Sequence, residues 1–183
     1  ETIARLAALA RVDEHDVYAA TLATYDGTAL DLTGLDPTDR HSYRKVAARG
    51  WAPAHGTQIC PACLAEDGAW QSAWRLLVVT TCTRHESLLV ARCPSCRRPF
   101  RDHRHSHLRR VGTATTCGNP LGAGPTQQCQ HDLNTIPTTP ASEDVLALQR
   151  RVAVALAGQT ITVLGQVAKP AAYLSDLRHL TTL

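Results

Sequence analysis

The chain has 183 residues, a formal net charge of +3 and 44% hydrophobic residues, a size that suits one domain or two small ones. Aromatic residues reach only 4%, with one phenylalanine and no methionine, so a conventional core is thin, and no apolar run approaches the roughly 18 residues of a membrane span. Seven cysteines, an odd number, without a secretory hydrophobic region exclude a complete disulfide framework and point to a reducing, cytoplasmic compartment. Glu1 in first place, with no methionine anywhere, sets the expectation that the native start lies upstream.

Residues 2–10 carry Ile3, Leu6, Ala7, Leu9 and Ala10 at helical spacing and predict a first helix. Arg11-Val12 break it. Asp13 is placed to cap a second helix carrying Val17, Tyr18 and Leu22, closed by Gly27. Two short helices with so tight a turn are helix-turn-helix-like, and a hairpin used only for packing fits equally. No basic residue projects from the second helix, which argues against DNA reading by this pair alone. After a loop over 28–35, Asp36 as cap, Pro37 at the first position and Gly50 beyond the end predict a third helix. Its open face carries Arg40, Arg44, Lys45 and Arg49, a solvated surface or a partner surface. Residues 1–56 are thus an N-terminal helical region, from which Trp51 and Pro53 lead the chain onward.

Residues 57–134 contain every cysteine. Cys60-Pro61-Ala62-Cys63, Cys82-Thr83-Arg84-His85 and Cys93-Pro94-Ser95-Cys96 each place two ligand-type residues either side of a tight turn, and Cys117 and Cys129 follow. Zinc takes four soft or borderline ligands in a tetrahedron, and pairs of such turns make closed structural sites. The simplest partition gives two zinc ions. One is held by Cys60, Cys63, Cys82 and His85, the other by Cys93, Cys96, Cys117 and Cys129. His131 is the alternative to Cys129, which is preferred because it leaves no stray thiol. A catalytic zinc keeps an open position for water, and two complete sets of four leave none. Neither Glu66 nor Glu86 stands at a deaminase-like offset from a ligand. Between the first knuckles, Leu76-Leu77-Val78-Val79 reads as a buried strand, and Ser87–Arg92 as a second short one. Trp70 and Trp74 are core residues on this reading.

Seventeen of the 19 basic residues are arginine, and Arg97, Arg98, Arg101, Arg104, Arg109 and Arg110 fall in one stretch with His103, His105, His107 and a single acid, Asp102. The guanidinium fork suits phosphates and carboxylates. A cluster of this kind is the electrostatic footprint of nucleic-acid binding; an acidic protein partner or a solvated loop gives the same pattern. Asn134–Pro140 reads as a linker. Residues 135–183 form a C-terminal helical region: a helix from Ser142 as cap to about Ala157, burying Val145, Leu146, Leu148, Val152 and Leu156, a stop at Gly158, a short strand or turn over Ile161–Leu164, and a last helix opened by Pro170. The fold class is mainly α with small zinc-ribbon β elements.

Taken together, Ile59-Cys-Pro-Ala-Cys-Leu-Ala-Glu-Asp67, Trp74-Arg75-Leu76, Cys82-Thr-Arg-His85, Leu88–Arg92, Cys93-Pro-Ser-Cys96 and Cys129-Gln-His-Asp-Leu133 closely resemble the TniQ family of target-selection adaptors in multi-protein DNA transposons, including CRISPR-associated ones. Arg5-Leu6-Ala7 fits that family's N-terminal helix-turn-helix region, and Tyr173–Arg178 its helical tail. The resemblance implies a non-enzymatic protein that connects a target-recognition factor, either a CRISPR effector or another target-selector protein, to an AAA+ ATPase regulator that recruits the transposase. It implies a rigid zinc scaffold, DNA nearby, no membrane, and leaves homodimer formation open. Members whose last two cysteines stand close together differ from this chain, in which Cys117 is isolated. The contrasting expectation is an autonomous zinc-finger DNA-binding protein, a site-specific target selector or transcription regulator. Length favours the adaptor, because longer relatives carry extra DNA-binding helices.

Overall fold

The structure is a computed structural model that describes residues 2–36, 38–39, 41–53, 55–101, 113–122 and 127–181. Among these residues the chain is mostly helical, with two small antiparallel two-stranded sheets. It divides into two compact units, Glu1–Ala52 with Val152–Leu183, and Pro53–Arg151.

In the first unit, α1 (Thr2–Ala10) ends at Arg11, which takes a left-handed φ of 56°. Asp13 caps α2 (Glu14–Ala19) by accepting from the His15 N–H at 3.0 Å. The second helix is shorter than the sequence suggests. Thr21 ends it, donating to the Tyr18 carbonyl and accepting from the Ala23 N–H, and Leu22 falls in a 3-10 turn over Leu22–Tyr25. The third helix also starts late, as α3 (Ser42–Arg49). Asp36 accepts from Thr38, Asp39 accepts from the His41 N–H, and the Ser42 hydroxyl bonds the Asp36 and Asp39 carbonyls. Such side-chain bonds offer the backbone an alternative to helix, so Asp36 caps a turn instead. Pro37 and Arg40 lie outside the described residues. Arg44, Lys45 and Arg49 are exposed, as their spacing predicts.

Gly50 closes α3 where the chain runs against itself; a Cβ there would meet the Ala29 carbonyl oxygen at 3.1 Å and the Leu30 Cα at 3.3 Å. The adjoining Trp51 is buried and donates from Nε1 to the Leu174 carbonyl at 2.9 Å. Val46, Leu30, Ile161, Tyr173 and Leu174 complete this small core. β3 (Ile161–Val163) and β4 (Gln166–Ala168) form a hairpin turned at Leu164-Gly165, where the sequence suggested one strand or a turn. α6 (Pro170–Thr181) follows, opened by its proline.

In the second unit, α4 (Pro61–Asp67) is closed by Gly68 in the left-handed region. The run Leu76–Val79 is not a strand: Trp74 sits in a 3-10 turn over Ser72–Arg75, and the Val79 N–H turns back to the Leu76 carbonyl. Leu76, Val78 and Val79 are buried nonetheless, while Leu77 is exposed. Pairing begins at β1 (Thr81–Cys82) with β2 (Ser87–Leu88), in register Cys82 to Ser87, and continues as single bridges at Val90 and Arg92. Residues 134–140 run along this unit, with the Leu88 N–H donating to Thr139 and a bridge from Ser87 to Pro140. α5 (Glu143–Leu156) begins here and belongs to the first unit from Val152 onward. Its face is rotated from the expected one. Leu148 is exposed and Gln149 is buried, the latter accepting at Oε1 from the Thr80 and Thr81 N–H groups at 2.9 and 3.3 Å.

Candidate metal centres

Two groups of four ligand atoms converge in the second unit, each with all its members within 4.8 Å of one another: Cys60, Cys63, Cys82 and His85, then Cys93, Cys96, Cys117 and Cys129. Six of the seven cysteines are buried, none is in a disulfide, and Cys96 is half-buried.

The first group is built by a helix N-terminus facing a hairpin. Cys60 is the N-cap of α4, Pro61 sets the first helical residue, and Cys63 stands on the first turn, so both thiols point the same way. Cys82 ends β1 and His85 sits in the turn to β2, its N–H donating to the Cys82 sulfur at 3.4 Å; Glu86 closes that turn with a φ of 49°. The bridge between Ile59 and Val90, with N···O distances of 2.9 and 2.8 Å, ties the two halves together. His85 Nδ1 lies 3.5 Å from Cys60 Sγ, 3.2 Å from Cys63 Sγ and 3.6 Å from Cys82 Sγ, and Cys63 and Cys82 are 3.5 Å apart. Zinc–sulfur bonds of about 2.3 Å and zinc–nitrogen bonds of about 2.0 Å in a tetrahedron require ligand separations of roughly 3.5–3.8 Å. The cluster is therefore already near the size a tetrahedral ion needs.

The other ring nitrogen of His85, Nε2, donates to Glu66 Oε1 at 3.0 Å, which leaves Nδ1 free to ligate. Glu66 and Asp67 are both ion-paired with Arg84. The hydrogen bond to Glu66 holds the His85 pKa above its ordinary value, against the opposing effect of burial.

The second group joins a knuckle to a two-stranded loop. Cys93-Pro94-Ser95-Cys96 is closed by the Arg97 N–H to the Cys93 carbonyl at 2.8 Å, with Arg97 at a φ of 59°. Cys117 and Cys129 face each other across a short ladder: the Cys117 N–H donates to His131, the Gly118 N–H to Cys129 and the Cys129 N–H to Asn119. Cys93 and Cys129 are 3.8 Å apart, as are Cys96 and Cys117. His131 enters this ladder through its backbone, and Cys129 is the fourth member of the cluster. Asn119, fully buried, donates from Nδ2 to the Pro99 carbonyl at 2.9 Å and to the Cys96 sulfur at 3.6 Å. Sequence reasoning missed Asn119, because nothing local marks a loop asparagine as a support for a ligand.

The thiols divide by environment. Burial, then the neighbouring thiol, pushes Cys63 and Cys117 well up. Burial is also the largest influence on Cys60 and Cys96, but there a backbone N–H, from Cys63 and Arg98 respectively, and the surrounding side-chain hydrogen bonds together outweigh it, and both end below the usual thiol value. A divalent ion held by these groups would resolve this conflict by replacing protons that the crowded sulfurs cannot all lose alone. Each set supplies four ligands, the donor chemistry of a closed tetrahedral site with no position left for water.

Of the arginine stretch, Arg97, Arg98 and Arg101 are described and exposed, and Arg104, Arg109 and Arg110 lie outside the described residues. Arg98 donates to the Pro120 carbonyl. Arg101 stacks over Trp70, with its guanidinium carbon 4.0 Å from the ring centroid. Trp70 also meets Phe100 edge-on at 6.2 Å and donates to the Ala114 carbonyl at 2.7 Å, so it serves packing, as does the buried Trp74. No helix among the described residues is long and apolar enough to cross a membrane.

The TniQ family profile matches residues 1–89. The match covers α1 to α4 and the whole first cluster, and ends before the second. No curated protein matches the chain.

Proposed function

From the match of residues 1–89 to the TniQ family, we propose that this protein is a transposition-associated, zinc-binding adaptor linking target-site recognition to an AAA+ ATPase regulator and the transposase. The family match carries this reading. The two four-ligand clusters support its scaffold element: Cys60, Cys63, Cys82 and His85 hold one zinc ion, and Cys93, Cys96, Cys117 and Cys129 a second. Zinc bound this way supplies cross-linking of distant segments and no reactive water. In a unit with few aromatic residues, structural zinc contributes on the order of 10–16 kcal/mol of apparent binding energy at neutral pH. The protein acts by presenting surfaces, not by catalysis.

The experiment is co-sedimentation with the AAA+ ATPase of the same element, with ATP and duplex DNA, beside a DNA-only control over a salt series. Pelleting only when the ATPase filament is present is the expected result. Tight, sequence-selective DNA binding without the ATPase would instead establish an autonomous target selector. Exposed Arg97 and Arg101, neither ion-paired among the described residues, are the observation that keeps that second reading in view.

A further inference from the structure

A further cluster of chemistry in the Pro53–Arg151 unit uses none of the eight residues of the two candidate metal centres. A cleft of about 240 Å³ is lined by Arg75, Arg92, His55, Trp74, Leu77 and Pro99 among others. Arg75 is half-buried, yet its Nε is fully shielded from solvent with no hydrogen-bond partner, and no carboxylate pairs with the guanidinium among the described residues. Arg92 is exposed, and its one side-chain hydrogen bond among the described residues is a long one, 3.3 Å to the Arg97 carbonyl. Arg101 stands near enough that burial first, and then the like charge of Arg75, lowers its pKa from the ordinary value. Gathering guanidinium groups without an acid between them is costly, and a buried Nε–H without a partner adds to that cost. A multivalent anion in the cleft relieves the first of these costs.

We propose that this cleft is a phosphate subsite, in which Arg75 and Arg92 together hold one backbone phosphate of a nucleic-acid strand. Arginine's planar fork can give phosphate two parallel hydrogen bonds through its terminal nitrogens, and no acid competes for those of Arg75 among the described residues. The lining distinguishes nucleic acid from an acidic protein. Protein interfaces centre on apolar anchors with charge depleted. Here Trp74 is buried in the core, Leu77 is the exposed large apolar residue, and the lining carries Arg75, Arg92 and His55 with no acidic residue among them. Arg97 and Arg101 extend the same positive surface along the knuckle of the second cluster.

The test is fluorescence anisotropy of zinc-loaded protein with labelled short duplex DNA across a salt series, with polyglutamate as a second probe. For Arg75→Gln/Arg92→Gln, the slope of log affinity against log salt is expected to become shallower by about 1, the value for one lost phosphate contact. Arg92→Gln alone, at an exposed position, should move in the same direction even if a change at Arg75 perturbs folding. Arg150→Gln, which removes an exposed arginine paired with Glu143, should leave the slope as it is. An unchanged slope in the double variant, an equal change in Arg150→Gln, or binding of polyglutamate in place of DNA would overturn the assignment. No ATPase enters this measurement, so its outcome is separate from that of the adaptor reading.

Discussion

Glu66 accepts a 3.0 Å hydrogen bond from His85 Nε2, and that bond turns the other ring nitrogen toward three thiols. The carboxylate fixes both the tautomer and the ring orientation of the ligand. Its own position is set by α4, the helix that also carries Cys63, and by Arg84 from the opposing turn.

Glu66→Ala is therefore expected to weaken metal binding at the first cluster by about 10–100-fold while leaving the second unchanged. Competition against a chromogenic chelator separates the two ions. An undisturbed first site would show that the carboxylate is a surface charge only. Arg84→Ala should cost far less, since exposed ion pairs are worth about 0–1 kcal/mol.

Metal affinity should fall as pH falls. Zinc needs thiolates, and burial with thiol crowding raises Cys63 and Cys117, so at neutral pH the metal-free clusters retain those protons and the ion must displace them. Each proton released makes log affinity rise by about one unit per pH unit, so binding at each cluster should weaken by about tenfold or more per unit of acidification. A chelator-competition series at several pH values, with proton release measured in weak buffer, checks the sign.

Gln149→Leu should destabilise the metal-loaded second unit by about 1–3 kcal/mol, because the Thr80 and Thr81 N–H groups lose their acceptor. Denaturant titration gives the value. A neutral outcome would mean that water replaces the amide.

Leu174 is fully buried beside Trp51, so Leu174→Ala should cost the first unit about 2–5 kcal/mol. Metal content should not change, since no ligand lies in that unit. Loss of zinc along with the helical signal would show the two units to be thermodynamically one.

The pairs Cys60/Cys63, Cys82/His85 and Cys93/Cys96 were legible because a two-residue gap is a local instruction: it specifies one tight turn, and that turn aims two side chains together wherever the rest of the chain goes. Helix ends at Asp13, Gly50 and Pro170 were legible for the same reason. The errors arose where local chemistry competed with pattern. Asp36, Asp39 and Ser42 consumed the first turn of the third helix, and Leu76–Val79 found burial without a strand partner.

Sequence alone determined the three knuckle pairs of the two clusters and the mostly helical class, since both follow from spacing and punctuation within a few residues. Tertiary structure alone decided the supports and the open chemistry: Glu66 behind His85, Asn119 behind Cys96, Gln149 under Thr80, and Arg75 beside Arg92. Those pairs are distant in sequence and carry no periodic signature, so they exist only once folding has closed the loops between them.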